Sequence, residues 1–264
     1  MDLNILSDKL KELKSSRPLS KIQIDEINRE KRIEHVWTSI VLEGASIQKY
    51  QVESILEIGY TLNECYVKDI LETLDLANAF DYMEELVLCK KSITQDIIRE
   101  LNKLVTIKTS DHIEYAGEYR LNEAYPYGVE GVIYTRPSLI FQEMGNLVWW
   151  IEEIGPSLHP VHFAAELHQR FVSIHPFVDG NGRTARLLME FALTSNGYPI
   201  TNIQPSKEKR LEYMETLAQS QRSGNVQPFV DLVARYVDEE LDFRINLLKL
   251  NEENNKKLEE IRNK

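Results

Sequence analysis

HPFVDGNGRTARLLMEFAL, residues 175–193, is the stretch on which the reading of this chain turns. Pro176 disfavours the α conformation at the residue before it, so the helix carrying VHFAAELHQRFVSI (161–174) should end at or before His175. Gly180, Asn181 and Gly182 then permit positive φ and a close backbone approach. A second helix is expected from near Arg183 to Asn196-Gly197. A glycine-rich loop that opens a helix presents unpaired N–H groups and the positive end of a dipole, which together make a place for an anion. The pattern predicts two consecutive helices with a binding loop at their junction.

The side chains around that loop supply a chemistry. Arg183 and Arg186 fall three apart, so both guanidinium groups are expected in front of the same N–H groups, an arrangement that suits a polyphosphate. Asp179 would repel such an anion unless a divalent cation lay between them. A hard ion such as Mg²⁺ usually takes one carboxylate plus phosphate oxygens, which makes Asp179 the expected metal ligand. His175 is left as the general base for an incoming hydroxyl. Phe177 is expected to pack into the core and anchor the loop. Four of the six histidines lie between 159 and 175, and His162 with Glu166 has ligand spacing, yet no HExxH pattern accompanies them. His168 is expected to be a packed or hydrogen-bonded helix residue.

Helical periodicity continues outward from the motif. VESILEIGYTLNECYVKDILETL (52–74), ANAFDYMEELVL (77–88) and TQDIIRELNKLV (94–105) all repeat apolar residues at three- and four-residue spacing. Arg17-Pro18-Leu19-Ser20 reads as a break with Ser20 as an N-cap. The helix after it should run through IQIDEINREKRIEHVWTSIVLEG (22–44) and stop at Gly44, with Glu43 in its last turn. Strand signals concentrate in EYRLNEAYPYGVEGVIYTR (118–136), where tyrosines and valines surround Pro126, Gly128 and Gly131 as in a short hairpin. From Phe229 to about Leu250 one apolar stripe marks a long helix, read as core rather than a dimer seam. The final NEENNKKLEEIRNK (251–264) reads as a solvated or frayed end. The expected fold is all-α with one short β-hairpin.

Charge and composition narrow the function classes. A net charge of −11 argues against a general affinity for nucleic-acid backbones, which relies on surplus Lys and Arg, so any phosphate must be held by a local site. No apolar run approaches the roughly 20 residues needed to cross a bilayer, and the start, MDLNILSDKLKELK, lacks a signal-peptide core; a cytosolic location is expected. Cys65 and Cys89 sit apart in helical-looking sequence and are read as reduced thiols without a chemical role.

HPFVDGNGRTAR resembles the signature of Fic-domain proteins, HxFx(D/E)GNGRxxR. About eight positions are constrained, at about one in twenty each by chance. RPLS (17–20), SIVLEG (39–44), GEYR (117–120), HFAAELHQRFVSIHPF (162–177) and NGYP (196–199) fall in the order found in Fic proteins with an N-terminal inhibitory helix. The resemblance implies three parts of one unit. Residues 1–50 carry the inhibitory helix. Residues 51–228 form the catalytic core, with a flap at about 118–136 and the motif loop at 175–186, and 229–264 are the C-terminal helix and tail.

It implies further that ATP sits on the motif loop with Mg²⁺ or Mn²⁺, and that AMP passes to a Ser, Thr or Tyr hydroxyl of a target protein docked on the flap. Self-modification and self-association are the other partner readings. Matched by position, His175 is the base and Asp179 the metal ligand. Gly180, Asn181 and Gly182 form the anion hole, and Arg183 and Arg186 hold phosphates. Tyr213 and Gln221 fall near the adenine, and Val129, Glu130, Gly131 and Val132 supply the flap backbone over the nucleotide. Ser39, Glu43 and Gly44 match the inhibitory pattern (S/T)xxxE(G/N), in which Glu43 pairs with Arg186. Ala45 stands where many relatives have Asn. Two alternatives remain: removal of AMP by a water that Glu43 orients, and a nucleotide-binding regulator without turnover.

Overall fold

The computed structural model describes residues 1–15, 19–61, 63–110, 112–126 and 130–262, with the side chains at 258, 259 and 262 excepted. Arg17 and Pro18 of the expected break, and Gly128 and Val129 of the expected flap, lie outside the described residues. Among those described, regular structure is helical: α1 (Asn4–Ser15), α2 (Lys21–Leu42), α3 (Lys49–Ile58), α4 (Val67–Leu88), α5 (Gln95–Thr106), α6 (Ile140–Glu153), α7 (Pro160–Ile174), α8 (Asn181–Ser195), α9 (Lys207–Ser223) and α10 (Gln227–Arg262).

Helix α8 is the centre. It buries every residue from Arg183 to Leu193, so it has no solvent face, and α2, α4, α5 and α7 pack around it. A helix that is enclosed on all sides has its ends fixed by the fold, which is what a precise anion site at its N-terminus requires. Helices α6, α9 and α10 cover the far side of α7, and α1 lies on α10. One hydrophobic core runs from Leu6 in α1 through Ile40 in α2, Phe80 in α4 and Leu188 in α8 to Leu241 in α10.

Local chemistry explains most boundaries. Ser20 is the N-cap of α2, as the sequence suggested, and the structure adds a capping box with Gln23, while Glu43 lies just past the helix as its C-cap and Gly44 takes φ 107°. The motif helix starts two residues earlier than expected, at Asn181, because Gly180 adopts φ 76° and so forms the N-cap itself. The periodic segment 52–74 is not one helix. Gly59 enters the left-handed region and ends α3, and α4 then runs unbroken through 77–88, where no breaker intervenes. The stripe of α10 is core, with Phe229, Leu232, Val233, Tyr236, Val237, Leu241, Ile245 and Leu248 all buried. The end expected to be solvated or frayed is largely exposed but continues that helix to Arg262, in keeping with the helix-forming Glu and Lys and the absence of Gly or Pro there.

The expected hairpin takes a different form. Among the described residues of 118–136 no strand ladder appears, and the only pairing is an isolated bridge between Tyr119 and Phe177. Arg120 does the joining instead. Its guanidinium donates to the carbonyls of Asn122 (2.7 Å) and Thr135, one on each limb, and to the His175 carbonyl (2.7 Å). A planar fork with several donors can replace a ladder wherever the limbs lie too irregularly to pair with each other.

Candidate active site

The motif loop is braced before it can bind anything. Asn181 is buried, and its side chain makes a reciprocal pair with Phe177, accepting from the Phe177 N–H (3.0 Å) and donating to the Phe177 carbonyl (2.9 Å). Its amide is thus spent on loop shape, and only its backbone N–H faces the anion place. From α5, Asn102 donates to the Asp179 carbonyl (2.9 Å) and the Thr184 hydroxyl (3.2 Å), and accepts from the Gly117 N–H. Phe177 is buried against Phe171 and Tyr119 and anchors the loop. Gly180 has no alternative here: besides its positive φ, a Cβ would lie 2.6 Å from Thr106 Cγ2.

The two arginines do not share one space, which corrects the sequence reading. Arg183 falls in the first turn of α8 and Arg186 in the second, and although residues three apart are neighbours on a helix surface, their long side chains turn to different partners. Arg183 is buried towards α4 and α5, reaching Glu72 Oε1 (3.4 Å), the Val105 carbonyl (3.4 Å) and Asp179 Oδ2 (3.2 Å). Burial pushes the Glu72 carboxyl up, against the opposing charge of Arg183.

Arg186 points to α2 and α9. It donates to Ser39 Oγ (2.7 Å), the Ser39 carbonyl (2.9 Å), Glu43 Oε1 (2.6 Å) and the Tyr213 hydroxyl (3.4 Å). Despite burial, the neighbouring Glu43 and Tyr213 raise its proton affinity, so it is a fixed cation. The Glu43 carboxylate lies over the start of α8: a Cβ at Gly182 would meet Glu43 Oε1 at 2.2 Å. A carboxylate thus occupies the place where dipole, N–H groups and Arg186 converge.

His175 closes the arrangement. It is the C-cap of α7 at φ 50°, ψ 59°, a left-handed conformation costly for a side chain with a Cβ, held by the Phe171 carbonyl and by the grip of Arg120 on its own carbonyl. Burial, with the charge of Arg120 acting the same way, pushes its imidazole down to about 4; Glu43, the Val172 carbonyl and Asp179 oppose this. The ring is therefore neutral at pH 7 and able to accept a proton. It lines one cleft with Glu43, Gly182, Arg186, Tyr134, Tyr213 and Gln221.

Residues 92–193 match the model of the "Fic/DOC family". The chain belongs to that family. It is 34% identical to the protein adenylyltransferase Fic of Drosophila virilis over 81% of this chain and 43% of the relative, and 35% identical to that of Drosophila melanogaster over 81% and 42%. The chain thus spans about two fifths of the length of the curated relatives it matches. Its fold is that of Fic-1 from C. elegans (TM-score 0.84, 25% identity, 94% of this chain and 72% of that one) and of a Fic-domain signalling protein from Bacteroides thetaiotaomicron (TM-score 0.82, 28% identity, 94% and 98%).

Within this Fic domain the remaining expected residues fall as follows. Tyr213 is buried at the cleft, where its hydroxyl takes a hydrogen bond from Arg186 and meets His168 Nε2 at 2.9 Å. His168 is buried against Phe229 and pushed down to about 3 by burial and by Arg186, so it is neutral and shares a hydrogen bond with the Tyr213 hydroxyl. Gln221 lines the cleft and donates to Ser173 (3.2 Å). Glu130 and Gly131 are exposed, the Glu130 carbonyl held by Arg222 at 2.9 Å, and Val132 is buried. His162 pairs with Glu166 at 3.1 Å, and Glu166 also holds Arg170. Among the described residues no three His, Cys, Asp or Glu side chains form a metal-binding group.

Asp179 offers a largely exposed carboxylate on the loop, with Oδ1 accepting from the Gly180 N–H (2.6 Å) and Oδ2 from Arg183. A lone hard-oxygen donor beside an anion place fits Mg²⁺, which draws its other ligands from phosphate and water.

Four side chains escaped the sequence reading. Asn102 left a trace, as a polar residue inside the apolar stripe of Ile98, Leu101 and Val105. Arg120 lies in GEYR, quoted for resemblance but given no role. Arg210, which donates from Nε to the Leu42 carbonyl at the end of α2 (2.9 Å), and Tyr134, which stacks on His175, left none.

Proposed function

We propose that this chain transfers AMP from ATP to a hydroxyl of a target protein and that Glu43 restrains the reaction. One observation supports this most directly: a neutral His175 shares a cleft with Arg186, and the Glu43 carboxylate sits against Arg186 where a phosphate would bind. The relatives named protein adenylyltransferase agree in activity.

In the reaction, the target hydroxyl loses its proton to His175 while its oxygen attacks the α-phosphorus. The bond from that phosphorus to the bridging oxygen breaks, and pyrophosphate leaves in line. The N–H groups of Asn181, Gly182 and Arg183 receive the phosphate oxygens, and Arg186 neutralises the far end of the triphosphate once Glu43 has withdrawn. Asp179 would hold Mg²⁺ or Mn²⁺, which supplies charge neutralisation on the phosphates. Arg183, tied to Glu72, acts on the nucleotide through Asp179. Tyr213 serves Arg186, and Gln221, Glu130, Gly131 and Val132 border the adenine end.

The test is incubation of Glu43→Gly protein with ATP and Mg²⁺, followed by intact mass measurement. Addition of one AMP to the chain or to a supplied protein is expected; no nucleotide-derived mass on any protein refutes the reading. A second reading, removal of AMP, draws on the exposed side of Glu43, which faces the same cleft as His175. Release of AMP from a modified protein by the unsubstituted chain, lost on Glu43→Gly, would establish it.

A further inference from the structure

Tyr134 has no counterpart in any motif of the chain, yet it makes the closest aromatic contact in the site. Its ring lies on the His175 imidazole with 3.9 Å between centroids and 9° between planes. The imidazole Nδ1 is enclosed and makes no hydrogen bond of regular geometry; the Val172 carbonyl acts on the ring, but such a contact holds only loosely how the ring is turned about its side-chain bonds. Histidines used in chemistry are ordinarily oriented by a hydrogen bond from the second nitrogen to a carboxylate or carbonyl. Here a flat aromatic surface holds the face of the ring, which a contact at one nitrogen leaves free to tilt. The surface is itself immobilised, because Arg120 grips the carbonyl of the next residue, Thr135, with the same guanidinium that holds the His175 carbonyl.

We propose that Tyr134 is a positioning residue for His175: by stacking on the imidazole it fixes the plane in which the base presents Nε2 to the incoming hydroxyl. This rests on the transfer reaction proposed above for its kinetic consequence, though not for the geometric claim. Two features follow from the stack. A parallel ring blocks one face of the imidazole and leaves its edge free, which is where the proton must arrive. The tyrosine also removes water from the imidazole, and burial is the main cause that holds His175 neutral; the charged groups facing it are Arg120 from the flap, Glu43 from the end of α2 and Asp179 from the motif loop. Since the ring and not the hydroxyl makes the contact, phenylalanine should serve as well as tyrosine.

A side chain that merely lined the cleft would behave differently, since Tyr134 also borders the space in front of Arg186, and loss of a wall would weaken ATP binding. Two measurements separate these roles. The first needs no catalysis: the chain is made with isotope-labelled histidine, the His175 signal is assigned with His175→Gln, and the imidazole is titrated by NMR. It should titrate near 4 with tyrosine or phenylalanine at 134, and move up towards 6.5 in Tyr134→Ala.

The second compares AMP transfer in the Glu43→Gly background. Tyr134→Ala should lower kcat by at least about tenfold, the lower end of what a misplaced general base costs, with KM for ATP changed less than about twofold. Tyr134→Phe should recover the rate. An unmoved His175 titration in Tyr134→Ala, a loss seen only in KM, or a phenylalanine variant as impaired as alanine would each overturn the proposal. If Glu43→Gly protein transfers no AMP at all, the function proposed above falls, and the NMR titration still decides the role of Tyr134.

Discussion

Replacing Glu43 with glycine removes one of four hydrogen bonds to Arg186 and leaves the other three in place: Ser39 Oγ at 2.7 Å, the Ser39 carbonyl at 2.9 Å and the Tyr213 hydroxyl at 3.4 Å. The buried guanidinium therefore stays solvated by the protein, and the fold should persist. What changes is access. A charge-assisted hydrogen bond is worth about 1.5–3 kcal/mol when enclosed, and with the Glu43 side chain 41% exposed, solvent screening discounts it to about 1–2 kcal/mol. At about 1.4 kcal/mol per factor of ten, the state with Arg186 free is held down about 5- to 30-fold. Misalignment of the triphosphate adds to this, since displacement of about 1 Å can cost on the order of a hundredfold. Glu43→Gly should thus raise AMP transfer by about one to three orders of magnitude, the upper end applying if the full misalignment is relieved, and Glu43→Gly with Arg186→Ala should lose most of that gain. The assay is labelled AMP incorporation at saturating Mg²⁺, with melting temperature measured in parallel. Unchanged transfer in a folded Glu43→Gly protein refutes the inhibitory role.

Four further outcomes are expected. His175→Ala should abolish transfer while nucleotide affinity, read by calorimetry, stays within about threefold, because the imidazole acts on the incoming hydroxyl; a collapse in affinity would contradict the base role. Arg120→Ala, which releases three carbonyls at once, should lower transfer at least about tenfold and destabilise the chain by about 1–3 kcal/mol in denaturant unfolding; near-normal values of both would show the guanidinium to be dispensable. Gly182→Ala should stay inactive even with Glu43→Gly, since its methyl group would stand where Glu43 Oε1 now lies; transfer by that double variant would move the anion place elsewhere. As for pH, burial holds His35 and His168 down to about 3 and His175 to about 4. In the unfolded chain each titrates near 6.5, so below that value the unfolded state binds more protons. Stability is present above about 6.5 and falls on acidification by up to about 1.4 kcal/mol per pH unit per histidine until the folded-state values are reached. A melting temperature flat from pH 7 to 5 would rule out neutral burial of these rings.

Some of this was legible in residue order because it depends on neighbours. Pro176 and the glycines at 180 and 182 constrain their own backbone and the residues beside them, so a helix end, a loop and a helix start follow wherever the segment lies. Ser20 with Gln23 closes a capping box within one turn, and the α10 stripe needs only the 3.6-residue period. Whether a periodic stretch breaks was already less certain, as Gly59 shows, since a single residue's φ decides it.

The directions in which side chains leave α8 belonged to the tertiary structure alone. Arg183 and Arg186 look like a pair in sequence, but helix packing sends one to Glu72 on α4 and the other to Ser39 and Glu43 at the end of α2. The contacts that prepare His175 are likewise distant in sequence: Arg120 arrives 55 residues from it along the chain, and Tyr134 comes from the far limb of the same segment. Such contacts are made by residues with no periodic or motif constraint of their own. Only the closure of the fold, which brings the carbonyls at 122, 135 and 175 within reach of one guanidinium, selects them.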